Sequence, residues 1–106
     1  MSRISTHVLD TATGRPAVGV PVSLLDADGT VIAMGSTDAD GRISTLGPDA
    51  LPEGHYRLVF DTAAWFGDIP NFYPLVTIDF ALADAASHYH LPLLLSPFAY
   101  STYRGS

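Results

Sequence analysis

Apolar residues recur along this chain mostly at every second position and in short runs, the pattern of half-buried strands rather than helices. Over Ile4–Asp10, Ile4, Thr6 and Val8 share one face while Ser5, His7 and Leu9 share the other. The apolar runs at residues 20–25 and 30–34 flank Asp26-Ala27-Asp28-Gly29, a hairpin signal in which Gly29 supplies a positive φ. Asp40-Gly41 marks another turn and sets Arg42 at the start of the next short strand. Tyr56, Leu58 and Phe60 alternate with His55, Arg57 and Val59; Val76, Ile78 and Phe80 alternate with Thr77, Asp79 and Ala81. Residues 88–95 read as a further strand, and Ser96-Pro97 turns the chain into a last one near residues 100–103. Only residues 62–68 break the two-residue period, and they predict one short helix with Asp61 or Thr62 as its N-cap. Seven or eight short strands at this spacing predict an all-β, two-sheet sandwich made by a single domain of 106 residues.

The strand at residues 88–95 departs from simple alternation. Tyr89, Leu91, Leu93 and Leu95 make an obvious core face. The opposite face, His88, His90, Pro92 and Leu94, is too apolar for water and too polar for a core. A proline there, unable to donate a ladder bond, points to a subunit interface near a sheet edge. His7 and Leu9 give the first strand a similar mixed outer face. Histidines on non-core strand faces are better explained by a site than by packing.

Charge narrows the range of partners. Eleven carboxylates stand against five arginines, with no lysine, for a net charge of −6. Such a surface repels phosphate backbones and anionic membranes, so neither nucleic acid nor membrane is an expected partner. The absence of cysteine removes disulfides, thiolate metal sites and a cysteine nucleophile. The amino-terminal residues Met1 to His7 lack the apolar stretch of a signal peptide, and no run approaches transmembrane length, so the expected setting is cytoplasmic.

Three kinds of chemistry compete for the histidines. His88-x-His90 places two imidazoles on one strand face, and a metal would need a third ligand from His7 or His55. The lack of cysteine and of any histidine-rich helix motif weighs against that, and His55 reads as a surface or packing residue. Serine nucleophile chemistry lacks a Gly-x-Ser-x-Gly elbow, and no serine, Ser5 included, has a local activating signature. Acid–base use fits better, because imidazole titrates near neutrality and serves both proton removal and proton delivery. Arg42 alone would pass for a surface ion-pairing residue. In a chain so poor in cations, however, its fork of donors is a ready grip for a planar, carbonyl-rich ligand. The terminal run Ser101 to Ser106 follows directly on a strand with two tyrosines, which favours an ordered tail over a frayed one.

Three motifs carry a resemblance. Ser5-Thr-His-Val-Leu-Asp10 continues to Thr13-Gly-Arg-Pro16; Asp40-Gly-Arg42 follows; the third is His88-Tyr-His-Leu-Pro-Leu-Leu-Leu-Ser-Pro-Phe-Ala-Tyr-Ser-Thr-Tyr-Arg-Gly-Ser106. With them the chain resembles the transthyretin-like family, in its hydrolase branch, from about Ser5 to the last residue. Ala99, where glycine is frequent, and the loose stretch from Asp68 to Pro74 are small departures. The resemblance implies a sandwich of two four-stranded antiparallel sheets. It also implies a homotetramer, a dimer of dimers, with active sites in a channel between the dimers. It places essential roles on His7, His90 and Arg42, and substrate binding on His7, Arg42, Tyr103 and Ser106, with His88 structural or orienting. The implied reaction is cofactor-free and metal-free hydrolysis of 5-hydroxyisourate to 2-oxo-4-hydroxy-4-carboxy-5-ureidoimidazoline, in urate breakdown. Either histidine suits the general base. The alternative is a small-ligand carrier using the same channel, which a bulky Tyr103 would narrow.

Overall fold

The computed structural model describes residues 3–106; Met1 and Ser2, the start of the segment read for a signal peptide, lie outside the described residues. In chain order the elements are β1 (Ile4–Asp10), β2 (Arg15–Pro16), β3 (Pro21–Asp26), β4 (Val31–Ser36), β5 (Arg42–Ile43) and β6 (Gly54–Phe60). They continue with α1 (Thr62–Phe66), β7 (Val76–Leu82), β8 (Tyr89–Ser96) and β9 (Ala99–Thr102). One sheet runs β2-β1-β8-β9, with β5 also pairing β1, and the other runs β4-β3-β6-β7. The two-sheet sandwich with one short helix is therefore as expected. Among the described residues the pairings are antiparallel with one exception: β1 and β8 run parallel, with Ser5 opposite His90 and His7 opposite Pro92.

The alternation read along the chain becomes the core. Ile4, Thr6 and Val8 of β1, Val22 and Leu24 of β3, Leu58 and Phe60 of β6, and Leu93 and Leu95 of β8 are buried to within 1%. The hairpin between β3 and β4 closes on Asp26, whose Oδ1 accepts from the Asp28 and Thr30 amides. The helix is shorter than the irregular segment suggested. Asp61 caps it by accepting from the Ala64 amide, and Gly67 ends it at φ +61°.

β8 is not itself an edge strand, since β1 flanks it on one side and β9 on the other, but it adjoins the edge strand β9, in keeping with the nearby edge read from its proline. The Leu95 carbonyl accepts from Thr11 on the β1 side, whereas the His90 carbonyl accepts from Gly105 on the tail side. Even-numbered positions of β8 therefore face the tail. Pro92 falls where β9 has ended at Thr102, whose hydroxyl donates to the Pro92 carbonyl. A missing N–H at that gap breaks no ladder bond.

Because Leu93 is fully buried at the centre of β8, Leu93→Ala is expected to destabilise the fold by about 2–5 kcal/mol. Urea unfolding at fixed protein concentration measures it, and a change below about 1 kcal/mol would contradict the packing described.

Candidate active site

The parallel register puts the outer faces of β1 and β8 side by side. Ser5 Oγ lies 2.7 Å from His90 Nδ1 and 2.8 Å from His88 Nε2, so one hydroxyl joins both imidazoles. On the other side of β1, β5 pairs antiparallel with Arg42 opposite His7. Across the sheet this makes a row of Arg42, His7 and Pro92 beside a second row that starts with Ser5 and His90.

Arg42 owes its position to a tightly specified turn. The Asp38 carboxylate accepts from the Asp40 and Arg42 amides, each at 2.9 Å. These bonds, with Arg42 and His7 nearby, hold its pKa below the usual carboxylate value. Gly41 sits at φ +75°, where its carbonyl accepts from Val8, and a Cβ would come within 2.5 Å of the Val8 carbonyl oxygen. Only glycine lets the loop lie this close to β1.

The tail reaches the same place from the opposite direction. After β9 it continues antiparallel to β8, and the Gly105 amide donates to the His90 carbonyl at 2.8 Å. A Cβ on Gly105 would meet His90 Cδ2 at 2.5 Å, so the glycine backbone packs directly on the imidazole. One residue earlier, the Arg104 guanidinium lies 4.5 Å over the Tyr89 ring, anchoring the segment by a cation–π contact. The ordered tail expected from the sequence is present.

A cleft of about 260 Å³ results, lined by Ser5, Thr6, Arg42, Ser44, His88, His90 and Ser106. Of the residues expected at a site, Arg42, His90 and Ser106 meet here. His7 does not line the cleft but borders it as the register partner of Arg42. Tyr103 is not brought to this group. It is 60% exposed and lines a second, more apolar cavity of about 320 Å³ with Ile78, Phe80 and Leu91. His90 borders both cavities. His55 lies on the other sheet, beside the Arg57–Asp79 ion pair, away from the cleft. Among the described residues no group of three or more histidine, cysteine or carboxylate side chains gathers as a metal site. Instead, both members of the His88-x-His90 pair turn to Ser5. Ser5 is the residue sequence reasoning missed. Its place on the His7 face of β1 was visible, but its activating partners are more than eighty residues away.

Burial, reinforced by repulsion from Arg42, His7 and His88, holds the His90 imidazole below its ordinary pKa. His90 is therefore neutral at neutral pH. With Nδ1 committed to Ser5, Nε2 is the nitrogen left for a ligand or water. The arrangement suits proton transfer at a small polar molecule that the Arg42 guanidinium can grip.

Fold and cleft together are those of a two-sheet β-sandwich with histidine, arginine and serine side chains gathered on one outer sheet face. Residues 4–105 match the HIUase/Transthyretin family, and the chain belongs to that family. It is 45% identical to 5-hydroxyisourate hydrolase 2 of Rhizobium meliloti, over 98% of this chain and 96% of that protein. The structure of Klebsiella pneumoniae 5-hydroxyisourate hydrolase is similar with a TM-score of 0.89 and 45% identity, covering 97% of this chain and 98% of that one. Transthyretin from Sparus aurata is similar with the same TM-score of 0.89 at 37% identity, covering 99% and 97%.

The environment of His90 has a direct readout. An NMR pH titration is expected to place its midpoint below the roughly 6.5 of an unperturbed imidazole. Arg42→Ala should raise that midpoint, because one repelling cation is removed. A midpoint at or above the ordinary value would contradict the buried, cation-flanked setting.

Proposed function

We propose that this chain hydrolyses 5-hydroxyisourate to 2-oxo-4-hydroxy-4-carboxy-5-ureidoimidazoline in urate breakdown. What carries the reading is the meeting of His90, Arg42 and Ser106 in one cleft, in a chain 45% identical to a 5-hydroxyisourate hydrolase over 98% of its length. The product's carboxyl and ureido groups mean that water adds to a ring carbonyl carbon and that a ring C–N bond then breaks. Neutral His90 is the base that takes the proton of the attacking water. Arg42 binds the substrate's carbonyl oxygens and stabilises the negative charge that grows on one of them in the tetrahedral intermediate. His7, beside Arg42, orients the substrate, and Ser106 closes the cleft on the tail side. No cofactor or metal has a step to perform in this scheme.

The carrier alternative suits the fold equally well but leaves the Ser5–His90 bond and the placement of Arg42 without a use. The exposed surface supports a proposed assembly. Phe72 and Phe98 are each at least 66% exposed. β7 and β9 end their sheets with unpaired edges. Apolar side chains and open edges on one molecule favour association. A homotetramer, a dimer of dimers, would cover them and bring Tyr103 toward a channel shared between subunits. No helix among the described residues is long and apolar enough to cross a membrane, and we place the activity in the cytoplasm.

Activity is tested by generating 5-hydroxyisourate in place with urate oxidase and following its ultraviolet decay with and without the protein. His7→Ala, His90→Asn and Arg42→Ala are each expected to lower turnover about a hundredfold or more with the fold intact. Normal activity in one of them removes that residue from the scheme. Binding of an apolar dye without any acceleration of decay would favour the carrier. Light scattering is expected to report about four times the 11.3 kDa chain. Deleting Tyr103 to Ser106 is expected to abolish hydrolysis while preserving that assembly, since β9 ends before the deletion. A fully active truncated protein would reduce the tail to a bystander.

A further inference from the structure

Ser5 has one proton and two imidazole neighbours, and that arithmetic has a consequence for His90. Its hydroxyl oxygen is 2.7 Å from His90 Nδ1 and 2.8 Å from His88 Nε2. A hydroxyl donates a single hydrogen bond, so when it gives its proton to one ring it accepts an N–H from the other. Two arrangements let the hydroxyl bridge the rings, donating to one and accepting from the other. In the first, His90 Nδ1–H donates to Ser5, Ser5 donates to His88 Nε2, and His90 Nε2 is bare and basic. In the second, His88 Nε2–H donates to Ser5, Ser5 donates to His90 Nδ1, and His90 carries its proton on Nε2. Each arrangement of the bridge thus dictates which role the cleft-facing nitrogen of His90 plays.

We infer that Ser5 and His88 are positioning residues that set the tautomer of His90 and carry its charge outward during turnover. The inference rests on the hydrolytic reading given above. Starting from the first arrangement, His90 Nε2 takes a proton from water as the water oxygen bonds to the ring carbonyl carbon. The His90 Nδ1 proton then passes to Ser5 Oγ while the Ser5 hydroxyl proton passes to His88 Nε2. His90 is left neutral with its proton on Nε2, and the positive charge rests on His88. That transfer is downhill in solvation, because His88 is exposed whereas His90 is half-buried. It also moves charge away from the Arg42 guanidinium, which β5 presents beside His90. When the C–N bond breaks, His90 Nε2–H protonates the departing ring nitrogen and both relay protons return. One histidine thereby serves the attack and the departure, with Ser106 closing the cleft from the tail side.

Two features hold the bridge in register. Ser5 and His90 are opposite one another in the parallel β1–β8 pairing. The backbone of Gly105 packs on the other side of the His90 ring and limits its rotation. Ser5 is itself buried, at 7% exposure, so bulk water does not compete for its hydroxyl.

The test combines kinetics with a readout that needs no turnover. Ser5→Ala is expected to lower kcat about thirtyfold, less than the roughly hundredfold or more of losing the acid–base group itself, and to change KM less than about threefold. Ser5→Thr, which keeps the hydroxyl, should restore most of the rate. His88→Gln should lower kcat with KM again little changed. Nitrogen-15 NMR of the imidazoles in the parent protein should find neutral His90 protonated on Nδ1, shifting to Nε2 in Ser5→Ala. Circular dichroism checks that each variant is folded, and His88→Gln carries the kinetic test if Ser5→Ala is not. Unchanged kcat in the folded variants overturns the inference, as does a His90 tautomer indifferent to Ser5. If the parent shows the Nδ1 tautomer but no hydrolysis, the hydrolytic reading fails while the tautomer control by Ser5 stands.

Discussion

The parallel pairing of β1 with β8 is the contact on which the remainder of this site depends, since it joins residues about eighty-five positions apart and sets their register to the residue. In a strand, neighbouring side chains point to opposite faces, so a slip by one would send Ser5 and His7 into the core and expose Ile4, Thr6 and Val8. Those three are fully buried, and the loss of their packing forbids the slip. Hydrophobic burial on one face of β1 therefore positions polar chemistry on the other. The site's geometry is a by-product of core packing, held by the buried face of the same strands.

Backbone contacts complete what the register begins. β1 receives β5 on one flank through a turn that only glycine fits, and this delivers Arg42. β8 receives the tail through a second glycine, whose missing side chain lets backbone lie against the His90 ring. The chain thus approaches the cleft closely from two sides with no side chain in the way. Its acidic composition leaves few cations, and one of them stands at the cleft with two histidines nearby. That local reversal of charge sign, added to burial, keeps His90 neutral and able to accept a proton.

A single sandwich serves both hydrolases and transthyretin, as the equal TM-scores to Klebsiella pneumoniae 5-hydroxyisourate hydrolase and Sparus aurata transthyretin make plain. Function has to be argued from the side chains on the outer sheet face rather than from the fold. Here that face carries an imidazole joined by hydrogen bond to a buried hydroxyl, with a guanidinium one strand away. A passive binding wall has no need of such an arrangement.

Much of this was written in local pattern. The alternation of Ile4, Thr6 and Val8, of Tyr56, Leu58 and Phe60, and of Leu91, Leu93 and Leu95 determined strands and their buried faces, because strand periodicity is a property of neighbouring residues. His7 and His90 stood out as candidates because they lie on mixed, non-core strand faces, and Arg42 because cations are few; their roles were implied by the family resemblance. Tertiary structure decided what depends on which strands become neighbours. The parallel sense of β1 and β8, the place of β8 between β1 and β9, the joining of Ser5 to both His88 and His90, and the separation of Tyr103 from Arg42 all arise from long-range pairing. No local period encodes the distance between residue 5 and residue 90; the packing of two faces into one core does.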